Sequence, residues 1–321
     1  MYGVHDLKDH IVISPADVEC PVIGCNKRVE RQRHSFKRIG KFRCSEHQIY
    51  ISPSTFEYDH ESDNLLWKDD KEDVPLLKAV KEVKRESRLA RDNSEDALSW
   101  NVFRYLEFTQ LLSRLLSWIT NTEQQHIELM YWSYSQRATV AWPELNKARK
   151  EFGENLQRSS EPDLIALTDK ALFFIEAKLT ATNNTMPSGS NNRTNYLTGG
   201  NEWHMKVFVS DFDTVAIKAK KYELFRFWLL GSWLANEMKL DFYLLNVVLT
   251  ERETDIEKRI NPHIRTGSNR QFKRVTWEEI HSFIAEYAPE DYKKSVILEY
   301  FRNKTIGYNR SGELQKAFKV E

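Results

Sequence analysis

Asp163, Glu176 and Lys178 are the residues whose types and spacing best suit chemistry. Residues 163–168 and 171–177 are short apolar runs separated by Asp169-Lys170, a pattern that predicts a β-hairpin. Side chains alternate along a strand, so Glu176 and Lys178 share a face while Ala177 points to the other. Folding about Asp169-Lys170 pairs Thr168 with Ala171 and lands Asp163 opposite Glu176. A four-residue loop on the same centre keeps that pairing; a bulge breaks it. Cross-strand carboxylates with Cβ atoms about 5 Å apart repel each other and call for a cation between them. Mg²⁺ suits such a site, because it takes one or two carboxylates, several waters and phosphate oxygens; Mn²⁺ has the same oxygen preference. An ammonium beside that cation, here Lys178, orients an attacking water and offsets charge developing on a scissile phosphate. Glu161 sits two residues before Asp163 and shares its face, as a further ligand or as a spectator.

A second constellation lies near the N-terminus. Cys20 and Cys25, then Cys44 and His47, form two short-spaced pairs joined by a longer loop. Tetrahedral zinc sites are assembled from such pairs. An odd number of cysteines in a chain read as intracellular makes a disulfide framework the weaker alternative. The segment from residue 27 to 43 carries eight Lys or Arg (27, 28, 31, 33, 37, 38, 41 and 43) against the single acid Glu30. A zinc-pinned basic loop offers either a phosphate-binding surface or a protein contact. His34, inside it, reads as a surface residue.

The elements that must position these residues follow from periodicity. Residues 57–73 reverse the sign of charge, with eight acids facing Lys68 and Lys71, and read as a solvated connector. That places a domain boundary near residue 70, giving a zinc-binding module over 1–70 and a larger α/β domain over 71–321. Residues 74–157 read as mostly helical, with Asn93 or Ser94 as an N-cap followed by Glu95 and Asp96. The aromatic stretch 127–139 lacks a clear period and stays open. After the hairpin comes a loop over 180–202 rich in Asn, Thr, Ser and Gly. A helix is expected over 218–236, a buried strand over 241–250 and another over 272–275. Thr276 and Glu279 then form a capping box that opens a helix. On the 218–236 helix, Tyr222 and Arg226 lie one turn apart, toward a nucleic-acid phosphate or on a solvated edge, and Lys206 is similarly open.

Pro162-Asp163 and Glu176-Ala177-Lys178, separated by a hairpin, resemble the PD-(D/E)XK nuclease superfamily, whose fold is restriction-endonuclease-like. The likeness runs over roughly residues 90–285, although only five residues form the motif itself. It implies a central mixed β-sheet flanked by helices, with Asp163 and Glu176 as ligands of Mg²⁺ or Mn²⁺ and Lys178 acting on the attacking water. It also implies that Glu95, at the start of an acidic helix before the hairpin, is a further metal-proximal carboxylate; otherwise Glu95 is an ordinary helix-start acid. The implied reaction is hydrolysis of DNA phosphodiesters, double-stranded DNA first, and by analogy a restriction or defence role. Because duplex cleavage commonly pairs two active sites, a homodimer is the expected assembly.

Composition sets the limits. The chain has 321 residues, of which 40% are hydrophobic, enough for a sizeable core. The 47 basic residues balance 47 acidic ones, which argues against a uniformly basic nucleic-acid coat protein but not against a local basic surface. No apolar run reaches the roughly 18 residues of a membrane span, and no secretory leader is visible, so a cytoplasmic protein is expected. Neither GxxxxGK[ST] nor GxGxxG occurs, and any ATP-driven translocation would need a partner. The competing class is a non-catalytic zinc-containing DNA-binding or adaptor protein on a nuclease-like scaffold; an RNA nuclease is a third.

Overall fold

The computed structural model describes residues 7–84, 88–156, 161–187 and 192–320. Packing divides the chain into two compact units, each built from separate stretches. The first comprises Met1–Pro75, Glu86–Thr109 and Trp277–Glu321, and the second Leu76–Arg85 and Gln110–Thr276. No helix among the described residues is long and apolar enough to cross a membrane.

The second unit is built on a seven-stranded mixed sheet. Its strand order is Arg270–Thr276, Asp241–Val248, Ala171–Ala177, Leu164–Leu167, Glu128–Tyr131, Tyr134–Ser135, Val140–Ala141. The first three strands run parallel and the remaining pairs antiparallel. Parallel neighbours need a crossover, supplied between Ala177 and Asp241 by the helix Tyr222–Met238. Every residue of Ala171–Ala177 and all but the first of Asp241–Val248 are buried, as expected of strands covered on both faces. The expected helix over 218–236 and strands over 241–250 and 272–275 are thus present with shifted ends. The expected loop over 180–202 is corrected in part: from Asn192 it is the helix Asn192–Val207, broken at Gly199–Glu202, and residues 188–191 lie outside the described residues.

One close approach fixes that crossover helix against the sheet. A Cβ added at Gly231 would fall 2.2 Å from Phe242 Cε2 and 3.0 Å from Phe174 Cδ2. Alanine in a helix interior normally stabilises by about 1 kcal/mol relative to glycine. Here the methyl must push two packed rings, and overpacking of this kind costs about 1–3 kcal/mol. Gly231→Ala is therefore expected to lower stability in urea unfolding, the reverse of the propensity effect.

The first unit is made of short antiparallel pairs with helices. Asp17–Glu19 pairs with Arg28–Glu30, Ile49–Ile51 with Phe56–Tyr58, and Thr305–Tyr308 with Leu314–Lys316. Helices Glu95–Phe108, Trp277–Tyr287 and Tyr292–Asn303 complete it. Ser94 is the N-cap of the first of these, its hydroxyl accepting from Ala97 N at 3.1 Å. Cys20, Cys25 and Cys44 share an apolar cluster with Phe56 and Tyr58 and, from the far end of the chain, with Tyr308 and Leu314.

The packing groups 86–109 and 277–321 with the N-terminal segment. The expectation of a solvated connector over 57–73 is corrected. Several of its acids are paired: Glu57 faces Arg38 and Arg91, Asp59 faces Arg43, Asp63 faces Lys68, Asp70 faces Lys293, and Asp73 faces Arg104. Asn64 in its middle is buried, donating to the carbonyls of Leu89 and Arg91 and accepting from Lys304 Nζ at 3.3 Å. The open segment 127–139 supplies strands: Tyr131 pairs with Tyr134 across Trp132 and Ser133, both at positive φ (47° and 69°).

Candidate active site and metal centre

The hairpin has the register expected of it. Leu164 pairs with Ile175 and Leu167 with Leu172, so one further step sets Asp163 opposite Glu176. Asp-Lys is an unfavoured two-residue turn, but the Thr168 hydroxyl stabilises it by accepting from Lys170 N at 3.1 Å and Ala171 N at 2.8 Å. Asp163 is held at both ends. Its carbonyl accepts from Trp132 N at 3.0 Å, and its Oδ2 accepts from Ala177 N at 2.9 Å. The carboxylate is thereby laid against the end of the strand that carries Glu176.

Glu176 is 2% exposed. Its Oε1 receives the Lys178 ammonium, whereas Oε2 is buried with no hydrogen-bond partner among the described residues. Burial pushes the Glu176 carboxyl well above the usual carboxylate range; Lys178 offsets part of this, and the charges of Asp163 and Glu223 add to it. An orphaned carboxylate oxygen in such a place costs about 1–3 kcal/mol or more, a cost that a bound cation removes. Lys178 also reaches Glu223 Oε2 at 3.4 Å. Sequence reasoning missed Glu223, whose signal is an acid in the first turn of the crossover helix. That turn is fixed by Thr185, whose hydroxyl accepts from Glu223 N at 2.9 Å.

A buried polar chain supports the strand ends. Asn246 pairs with Glu176 in the parallel register and donates to its carbonyl at 3.3 Å. Asn183 donates to Asn246 Oδ1 at 3.1 Å and also reaches Glu253, which pairs with the fully buried Lys221 at 3.3 Å. The lone polar residue in the apolar run around 241–248 was the legible sign of this network; Asn183, Lys221 and Glu253 gave none.

Other expected residues are placed as follows. Glu95 opens its helix in the first unit, whereas Asp163, Glu176 and Lys178 belong to the second. Neither reading of Arg226 holds. It is buried and makes a two-pronged bond to Glu154, at 2.5 Å and 2.8 Å, because Glu154 lies beneath that helix face. Tyr222 is half-buried against Tyr196, hydroxyl to hydroxyl at 3.1 Å. Glu161 faces Arg149 at 3.6 Å. Lys206 is exposed beside the Trp203 ring, and His34 is exposed.

The N-terminal group assembles fully. Donor atoms of Cys20, Cys25, Cys44 and His47 all lie within 4.8 Å of one another, and among the described residues no other group of three or more such donors does. Cys25 and Cys44 Sγ are 3.8 Å apart, Cys20 Sγ and His47 Nδ1 3.7 Å, and Cys44 Sγ and His47 Nδ1 3.8 Å. A sulfur–sulfur distance of 3.8 Å excludes a disulfide, whose bond is about 2.05 Å. It matches the edge of a tetrahedron with metal–sulfur bonds of about 2.3 Å, an edge of about 3.8 Å. Gly24, at φ +78°, provides the turn between the first two thiols. Burial pushes the Cys20 and Cys25 thiols up; a cation among them reverses that by binding the thiolates. The cluster is thus a group able to hold a metal ion.

Comparison with known protein families, with curated proteins and with solved structures found no match.

Proposed function

We propose that the chain is a metal-dependent nuclease with a restriction-endonuclease-like core, hydrolysing DNA phosphodiesters at the hairpin. The observation that carries this reading is the buried Glu176 carboxylate, with Oε2 unpartnered, next to Asp163 in register and to the Lys178 ammonium. Asp163 and Glu176 would hold Mg²⁺ or Mn²⁺, which supplies Lewis-acid polarisation of the scissile phosphate and acidifies the attacking water. Lys178, braced between Glu176 and Glu223, orients that water and neutralises developing negative charge. The Cys20, Cys25, Cys44 and His47 group would hold a structural zinc, because four closed N/S donors leave no position for substrate.

The test is incubation of the native chain with supercoiled plasmid and with single-stranded DNA, in Mg²⁺, in Mn²⁺ and in chelator-treated buffer. Metal-dependent cutting is expected. A protein that binds DNA and never cuts in either metal would favour the adaptor reading instead. Glu223→Gln and Glu95→Gln, assayed side by side, assign the third carboxylate: whichever raises the metal concentration needed for cutting belongs to the site.

A further inference from the structure

The basic segment of the first unit sorts its own charges. Of its eight cations, five are paired with carboxylates: Lys27 with Glu46, Arg28 with Asp17, Arg38 with Glu57, Lys41 with Glu30 and Arg43 with Asp59. Among the described residues, Arg31, Arg33 and Lys37 have no such partner. These three line one cleft of about 570 Å³ together with His34, over a floor that includes the buried Phe42. The only acid on its wall is Glu30, already paired with Lys41 at 2.6 Å.

The cleft is held in shape before any ligand arrives. Arg31 Nη1 donates to Ser14 O at 3.3 Å and Arg33 Nη2 to Pro15 O at 2.7 Å, which fixes both guanidiniums while leaving most of their N–H groups unused. Gln32, between them, is buried; its amide donates to Ile51 O at 2.9 Å and accepts from Lys37 N at 2.6 Å, closing the loop that carries Lys37. Fixed cations lose little entropy on binding, and planar guanidiniums suit phosphate oxygens.

We propose that this cleft is a docking site for the backbone phosphates of DNA, with Arg31, Arg33 and Lys37 as the contacting cations. That the polyanion is DNA rests on the nuclease reading; the uncompensated charge and the fixed guanidiniums do not. Contacts of this kind position the strand and carry no sequence information.

The experiment measures anisotropy of fluorescein-labelled duplex DNA across a sodium chloride series. It uses full-length protein carrying Lys178→Ala, with no Mg²⁺ added, so that cleavage does not enter. Each phosphate contact contributes about 0.9 to the slope of log affinity against log salt. Adding Arg31→Gln, Arg33→Gln and Lys37→Gln together is expected to lower that slope by about 2–3 and weaken binding at least tenfold. Lys27→Gln, Arg28→Gln and Lys41→Gln together remove the same number of cations from paired positions, and are expected to leave the slope unchanged. An unchanged slope in the first set, or an equal fall in both sets, overturns the proposal. Should the triple variant misfold by circular dichroism and metal content, Lys37→Gln alone decides. Among the described residues its side chain has no partner to lose, and the slope either falls by about 1 or the proposal fails. If the native chain cuts DNA while the first set binds normally, docking falls and the nuclease reading stands. If slope and affinity fall as expected but the native chain never cuts, the reverse holds.

Discussion

On the proposed nuclease function, Lys178→Met is expected to lose the plasmid cleavage expected of the native chain, by about 10²–10³-fold or more in rate. The side chain stands between two carboxylates, touching Glu176 and lying 3.4 Å from Glu223. Methionine keeps the apolar stem and removes the charge, so the lost term is electrostatic. Without the ammonium, the buried Glu176 carboxyl rises further, which favours its neutral form and spares the fold an unpaired buried charge; unfolding midpoints should therefore move far less than activity. Arginine is not expected to rescue, because its planar fork cannot occupy the point between the two carboxylates. Asp163→Ala is expected to match the loss, since it removes both a proposed metal ligand and the bond to Ala177 N.

The raised Glu176 carboxyl gives this site a pH signature of definite sign. On the proposed function a cation and a proton compete for this raised carboxyl, so apparent Mg²⁺ affinity is expected to rise with pH until the carboxyl is ionised. The same shift makes the metal-free fold lose stability as pH rises from the unfolded carboxyl value toward the folded one, because the unfolded chain ionises first. Isothermal titration with Mg²⁺ at several pH values checks the affinity; urea unfolding in chelator checks the stability.

Cys44→Ser should have the second large effect. Bound structural zinc contributes about 10–16 kcal/mol in small zinc domains, as much as the whole stability of a typical domain. The variant is expected to retain less than stoichiometric zinc by mass spectrometry and to lose the order of the apolar cluster around the thiols. Because Tyr308 and Leu314 sit in that cluster, the strand pair at the other end of the chain should loosen with it. Limited proteolysis between residues 309 and 312 should then accelerate in Cys44→Ser and in chelator-treated native protein. Unchanged zinc content, or unchanged cleavage there, would remove the structural metal from the account.

What was legible depended on whether the signal was local. The hairpin register follows from a two-residue period and a turn centre, so Asp163 and Glu176 could be set opposite each other from the sequence. Cysteine and histidine spacing likewise carried the donor group. Pairings across long separations were hidden. The acids of 57–73 looked like a solvated run because Arg91 and Arg104, which neutralise Glu57 and Asp73, lie well downstream. The pairing of Arg226 with Glu154 could not be read from its own helix, because Glu154 is 72 residues away. The stretch around Tyr131 and Tyr134 stayed open because its turn places Trp132 and Ser133 at positive φ, where Asn-Gly is the recognisable signal.

The arrangement of the first unit has a consequence for biosynthesis. Its thiols emerge from the ribosome well before Tyr308 and Leu314, members of the same apolar cluster that lie more than 260 residues beyond Cys44 (308 − 44 = 264). At about 5–20 residues per second, the cluster waits roughly 10–60 s for its final members. Through that interval the young chain exposes three thiols and an unfinished core, while the intervening sheet can already have formed. Metal capture by the nascent chain would shield those thiols from oxidation during the delay, and chains that stop before Tyr308 would be left with an incomplete cluster around the thiols.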